Sequence, residues 1–127
     1  MEIFSIDLGK ELTDMAVEIK SKRAGVSTPP YQLYMAFTDM RNFIQYLPED
    51  KRSDVQADFD SIKAMVQGFE IGVRVMERTP YSKIEFVDDG APFHFTLVMH
   101  FDPSTDPYKT DFQITVDADL NFMMKTL

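Results

Sequence analysis

Residues 93–101 read Phe93-His94-Phe95-Thr96-Leu97-Val98-Met99-His100-Phe101. Phe93, Phe95, Leu97, Met99 and Phe101 alternate with His94, Thr96, Val98 and His100. Strand side chains point to opposite faces with period two, so this run predicts a half-buried strand with the phenylalanines inside. Asp102 to Pro107 holds two prolines and predicts its end. The pattern then recurs: Phe112, Ile114, Val116, Ala118 and Leu120 share one face, and Gln113, Thr115, Asp117 and Asp119 the other.

Upstream the same period continues. Lys83 to Val87 predicts a short strand closed by the Asp-Gly turn signal in Asp88-Asp89-Gly90-Ala91-Pro92. Before the break at Thr79-Pro80-Tyr81, Ile71, Val73 and Val75 face one way with Glu70, Arg74 and Arg78 opposite. Val55, Ala57 and Phe59, then Ile62, Ala64 and Val66 up to a turn at Gly68, give two more short strands. Hairpin-length links between successive strands predict an antiparallel sheet with one apolar face and exclude helix-bridged parallel folds.

The first half differs. Residues 1–13 have no clear period and are taken as a leader that adds a turn of helix or an edge segment. Met15, Val17, Ile19 and Ser21 alternate with Ala16, Glu18, Lys20 and Lys22, which predicts a strand ending near Ser27. Thr28 then caps a helix with Pro29 and Pro30 in its first turn and Leu33, Tyr34 and Phe37 at helical spacing. Asp39 caps a second short helix, with Met40, Phe43, Ile44 and Leu47 at i, i+3, i+4 and i+7, and Pro48 halts it before the charged loop Glu49-Asp50-Lys51-Arg52.

The whole chain, 127 residues, fits one domain. Thirteen Lys and Arg against 21 Asp and Glu leave a net charge of −8, which repels nucleic acid. No cysteine is present, so disulfides, thiolate nucleophiles and cysteine-ligated metals are excluded. The N-terminus carries acidic residues where a signal peptide needs basic ones, and no apolar run approaches a membrane span. A cytoplasmic protein without membrane insertion is expected. Nine Met and 11 Phe suit an adaptable apolar interior.

Two short helices cannot roof about seven strands, which leaves an apolar face on the order of several hundred Å² to be covered. The chain ends in Asn121-Phe122-Met123-Met124-Lys125-Thr126-Leu127, which reads as the start of a helix. From Met15 onward it resembles the START-like SRPBCC, or polyketide-cyclase-like, superfamily that includes the birch-pollen allergens. The resemblance rests on the order strand–helix–helix–six strands. It also rests on Ser27-Thr28-Pro29, Phe37-Thr38-Asp39-Met40 with Leu47-Pro48, Val75-Met76-Glu77-Arg78-Thr79-Pro80, and Ala118-Asp119-Leu120-Asn121-Phe122. It implies an α+β helix-grip fold, a curved antiparallel sheet with two short helices between strands 1 and 2, and an apolar cavity closed by a long C-terminal helix. This sequence ends where such a helix begins, so the expectation is either a truncated chain or a cover supplied by a homodimer or a partner chain, with Phe122-Met123-Met124 of one chain packed on the sheet of the other.

Candidate chemistry is sparse. His94 and His100 fall on the face opposite the phenylalanines, about 20 Å apart, too far to share a metal, and read as surface histidines. Asp117 and Asp119 share that outer face and read as solvated carboxylates rather than an acid–base pair. Asp102, Asp106 and Asp111 lack calcium-loop spacing and read as a polar loop. Glu77 shares parity with Val73 and Val75 and is a candidate for the cavity rim, weighed against an exposed strand end. Ser21 is a second candidate polar contact. No Ser/His/Asp arrangement, phosphate loop or metal signature occurs in the sequence.

The expected function is noncatalytic binding of a hydrophobic or amphipathic small molecule, of lipid, polyketide or quinone type, on the concave face. No cofactor or metal is assigned. The ligand-binding residues are Tyr34 and Phe43 from the helices, Val73, Val75 and Glu77 from one strand, Phe95, Leu97 and Met99 from the 93–101 run, and Ile114, Val116 and Ala118 from the last strand. The alternatives are a polyketide cyclase or aromatase, which needs several inward polar groups, and a co-chaperone-like domain that docks a partner protein.

Overall fold

The structure is a computed structural model that describes residues 4–7, 16–91 and 93–119. Its order is β1 (Phe4–Asp7), β2 (Ala16–Ser21), β3 (Ala24–Val26), an α-helix (Pro30–Phe37), two 3-10 helices (Met40–Tyr46 and Glu49–Asp54), then β4 (Val55–Ala57), β5 (Ser61–Val66), β6 (Phe69–Thr79), β7 (Lys83–Asp88), β8 (His94–Pro103) and β9 (Thr110–Asp119). All strand pairings are antiparallel. Across the curved sheet the order is β1-β2-β9-β8-β7-β6-β5-β4, with β3 also paired to β9. Six strands form a meander, and β9 closes it by lying against β2, so the helices between β3 and β4 span the concave side.

The α+β helix-grip class is thus realised, with a richer sheet than the seven strands expected. Two local causes account for the difference. Part of the leader, Phe4–Asp7, is an edge strand on β2, in the register Ile6 to Ile19. The first long strand is broken at Lys22-Arg23 into β2 and β3, both of which pair with β9. At that break Ser21 is buried, its Oγ donating to the Lys22 carbonyl at 3.1 Å and accepting the Ile114 N–H at 2.8 Å. Ser21 therefore serves the backbone rather than a ligand.

Alternation along β8 and β9 holds as expected. Phe95 opposes Ala118, Leu97 opposes Val116, Met99 opposes Ile114 and Phe101 opposes Phe112, all on the inner face. From β7, Ile84 and Phe86 join them opposite Met99 and Leu97. Ile84, Phe86, Phe101 and Met40 are at most 1% exposed; each such side chain stabilises the fold by about 1.5–3 kcal/mol through area removed from water. Around Phe101 an aromatic cluster ties helix to sheet: Tyr34 lies edge-on at 5.9 Å, Phe112 at 5.5 Å and Phe37 at 6.0 Å between ring centroids.

The helical region departs in detail. Pro29, not Thr28, is the N-cap of the α-helix and offers no side-chain bond; the Thr28 carbonyl instead accepts from the buried Thr110 hydroxyl at 2.6 Å. Asp39 does cap the second helix, accepting the Arg41 N–H at 3.0 Å, but that helix is 3-10 in type. The expected loop at 49–52 is itself a 3-10 helix, begun after Pro48. Phe59 lies in the turn after β4 rather than in the strand, and β8 runs on to Pro103. Segment 121–127, on which the C-terminal helix was placed, lies outside the described residues.

Candidate functional site

Between the sheet and the first 3-10 helix lies a pocket of about 170 Å³. Met40 and Phe43 line it from the helix; Ile62, Val73, Phe86, Leu97 and Met99 line it from four adjacent strands. The register explains this convergence, because Ile62 opposes Val73 on β5–β6 and Phe86 opposes Leu97 on β7–β8. All seven side chains are apolar, so the pocket offers a ligand dispersion contact and release of water but no directed hydrogen bond. At about 170 Å³ it is smaller than the ~300–1,000 Å³ of drug-sized sites.

Four of the eleven residues expected at the site, Phe43, Val73, Leu97 and Met99, come together in this lining. Tyr34 is only 5% exposed and sits in the aromatic cluster, edge-on to Tyr81 at 5.6 Å. Val75 packs into the core beside the pocket. Phe95, Ile114, Val116 and Ala118 occupy the inner face toward β2 and do not line the pocket. Met40, Ile62 and Phe86 were missed; the alternation of Ile84 with Phe86 was the available signal for one of them.

Glu77 is corrected. A β-bulge between Val75 and Glu77 inserts Met76, so parity slips by one residue. Glu77 is exposed and opposes Glu85, while Arg78, expected outside, opposes the buried Ile84 on the inner face. Arg78 is fully engaged: Nε donates to Thr38 Oγ1 at 2.8 Å, Nη2 to the carbonyls of Thr38 at 2.8 Å and Phe59 at 3.0 Å, and Nη1 to Asp60 Oδ1 at 2.7 Å.

The histidines keep their expected face. His94 is exposed, with Nδ1 at 3.4 Å from Asp88 Oδ2, and His100 Nε2 lies 3.2 Å from Thr115 Oγ1. Among the described residues no three His, Asp or Glu side chains gather as a metal site, and no helix is long and apolar enough to cross a membrane. Two carboxyls are held below the ordinary aspartate range: Asp39 by the Arg41 guanidinium, and Asp58 by the Ser61 hydroxyl and then the Asp60 and Ser61 amides. Both cap turns and neither lines the pocket.

No family model and no curated protein matches the chain. Solved structures do. A conserved protein of unknown function, EF2215 from Enterococcus faecalis, superposes with a TM-score of 0.61 at 9% identity, over 97% of this chain and 66% of its own. CalU16 from Micromonospora echinospora gives 0.57 at 13% identity, over 82% and 60%. PFC0360w, an HSP90 activator from Plasmodium falciparum, gives 0.56 at 20% identity, over 82% and 72%. The chain thus spans two-thirds or less of the length of EF2215 and CalU16. Such identities establish the shared helix-grip-like fold and nothing finer.

Proposed function

We propose that the chain binds an uncharged apolar group, noncatalytically, in the pocket between the first 3-10 helix and the sheet. The observation that carries this reading is the lining: seven apolar side chains drawn from five elements, with no polar group among them. A ligand that fills about 170 Å³ buries roughly 200 Å² of its surface, worth about 5 kcal/mol before the cost of immobilising it, so its Kd is no tighter than on the order of 0.1 mM. That is weaker than the micromolar binding of larger closed sites. A lipid, polyketide or quinone would therefore place one apolar portion here and leave the remainder at the mouth.

The cyclase alternative needs inward polar groups to orient a poly-keto chain. Of its two candidates, Glu77 faces outward and Ser21 is committed to backbone bonds, which favours binding over chemistry. A protein-docking role is the second reading, favoured by the exposed Val66 and Phe69 at the β5–β6 hairpin tip; the HSP90 activator among the fold neighbours is a precedent for such a role on this architecture. The homodimer expected from the sequence is a separate proposal, since it covers the concave sheet face rather than this hairpin tip.

Titration with a fluorescent apolar probe tests the binding reading. Leu97→Asp places a carboxylate in the lining and should abolish binding, whereas His100→Ala, on the opposite face, should leave it within about twofold. Equal loss in both variants, or loss in His100→Ala alone, contradicts the assignment.

A further inference from the structure

Five of the seven lining residues are fixed by the ladder of the sheet, and the other two, Met40 and Phe43, belong to a 3-10 helix. Such helices have poorer hydrogen-bond geometry than α-helices, so tertiary contacts set where this wall stands. Its start is held locally by the Asp39 cap and by Asn42 Nδ2 donating to the Ala36 carbonyl at 2.9 Å, and is tied to the turn after β4 through Phe59. The Met40 N–H donates to the Phe59 carbonyl at 3.2 Å, and the same carbonyl accepts from Arg78 Nη2. Arg78 also grips the Thr38 carbonyl and hydroxyl, two residues before Met40. Its guanidinium carbon lies 4.3 Å over the centre of the Phe59 ring, and the Asp60 carboxylate completes the arrangement. One planar fork thereby joins the end of the α-helix, the turn after β4 and the strand β6 that supplies Val73.

Arg78 contributes no atom to the lining. We propose that it is a positioning residue: its fork fixes the separation between the Met40–Tyr46 helix and the sheet, and so sets the size of apolar group that the pocket accepts. This inference rests on the binding reading above. Four acceptors in two segments suit a rigid guanidinium, whereas a lysine ammonium, a single point charge, cannot span them. The bulge at Met76 acquires a purpose here, since it turns Arg78 inward without moving Val73 or Val75 from the inner face.

The test compares the unsubstituted chain with Arg78→Lys by two readings: backbone amide exchange, and binding of alkylbenzenes of increasing chain length. Exchange at Met40 should accelerate roughly tenfold while the β8 amides keep their rates, as local opening of a loosened wall requires. The alkylbenzene bound best should shift toward longer chains. Asp60→Ala, which removes one of the four acceptors on an exposed side chain, should move both readings the same way by less, and it carries the test if Arg78→Lys does not fold. A lowered Tm with unchanged Met40 exchange relative to β8 and an unmoved size order reduces Arg78 to a stabilising residue and overturns the proposal. Failure of every alkylbenzene to bind the unsubstituted chain overturns the binding reading itself, and the size-setting role with it.

Discussion

Gly72 is buried where β6 meets the end of β7, and its carbonyl accepts the Asp89 N–H at 2.8 Å. A Cβ there would collide with the Asp89 carbonyl oxygen and stand 2.8 Å from Lys63 Cγ. The lysine stem can swing away, but the Asp89 backbone cannot move without losing its bond. Gly72→Ala should therefore cost about 1–3 kcal/mol, read as a lower denaturant midpoint at unchanged slope. Gly25, with nothing within 4 Å of its Cβ position, should accept alanine within about 0.5 kcal/mol. Acid sensitivity is set at the same scale. Arg41 holds Asp39, and Ser61 holds Asp58, below the ordinary aspartate range in the folded chain. The unfolded chain takes up these protons first as pH falls, so this stabilisation is complete above about pH 4 and is lost as pH drops through the depressed native values. Denaturation midpoints across that window should decline less steeply in Asp39→Asn and Asp58→Asn than in the unsubstituted chain; parallel declines would contradict the assignment.

At the scale of elements, the sequence was most legible where strands are long and one face is buried. Period two placed Phe95, Leu97, Met99, Ile114 and Val116 on the inner face, because a one-residue slip there would move every large side chain into water. The same rule failed on β6. Nothing in Val75-Met76-Glu77 announces a bulge, since Met76 is as acceptable outside as inside, and parity counted from Ile71 carries Glu77 to the wrong face. The apolar spacing of Met40, Phe43 and Ile44 revealed a helix but not its 3-10 type. Val73, Leu97 and Met99 were legible for the first reason and Phe43 from its helical spacing; Met40 and Ile62 required the tertiary fold.

The β5–β6 hairpin carries its own prediction. It turns through Gln67 and Gly68, both at positive φ, and extends past β4, whose pairing stops at Ala64. Beyond that point Met65 is 52% exposed, Val66 46% and Phe69 59%. An apolar strand end without a neighbour on one side favours association. On the protein-docking reading, association through this end is expected: sedimentation velocity should show a concentration-dependent shift toward dimer that Phe69→Lys abolishes. A sedimentation coefficient independent of concentration in the unsubstituted chain would refute that placement.

For the molecule as a whole, the central claim is that the apolar pocket, rather than the hairpin tip or the outer face, receives the ligand. The methionines supply reporters on each surface. Met40 and Met99 line the pocket, Met65 stands at the hairpin tip and Met76 is exposed at the bulge. Their polarisable thioethers adapt to an occupant, and their methyl groups give separate NMR signals. Titrating the chain, labelled at its methionine methyls, with toluene is the most direct measurement. The Met40 and Met99 signals should shift together along one saturable curve while Met65 and Met76 stay in place; shifts confined to Met65 or Met76, or none at any methyl, would contradict the account.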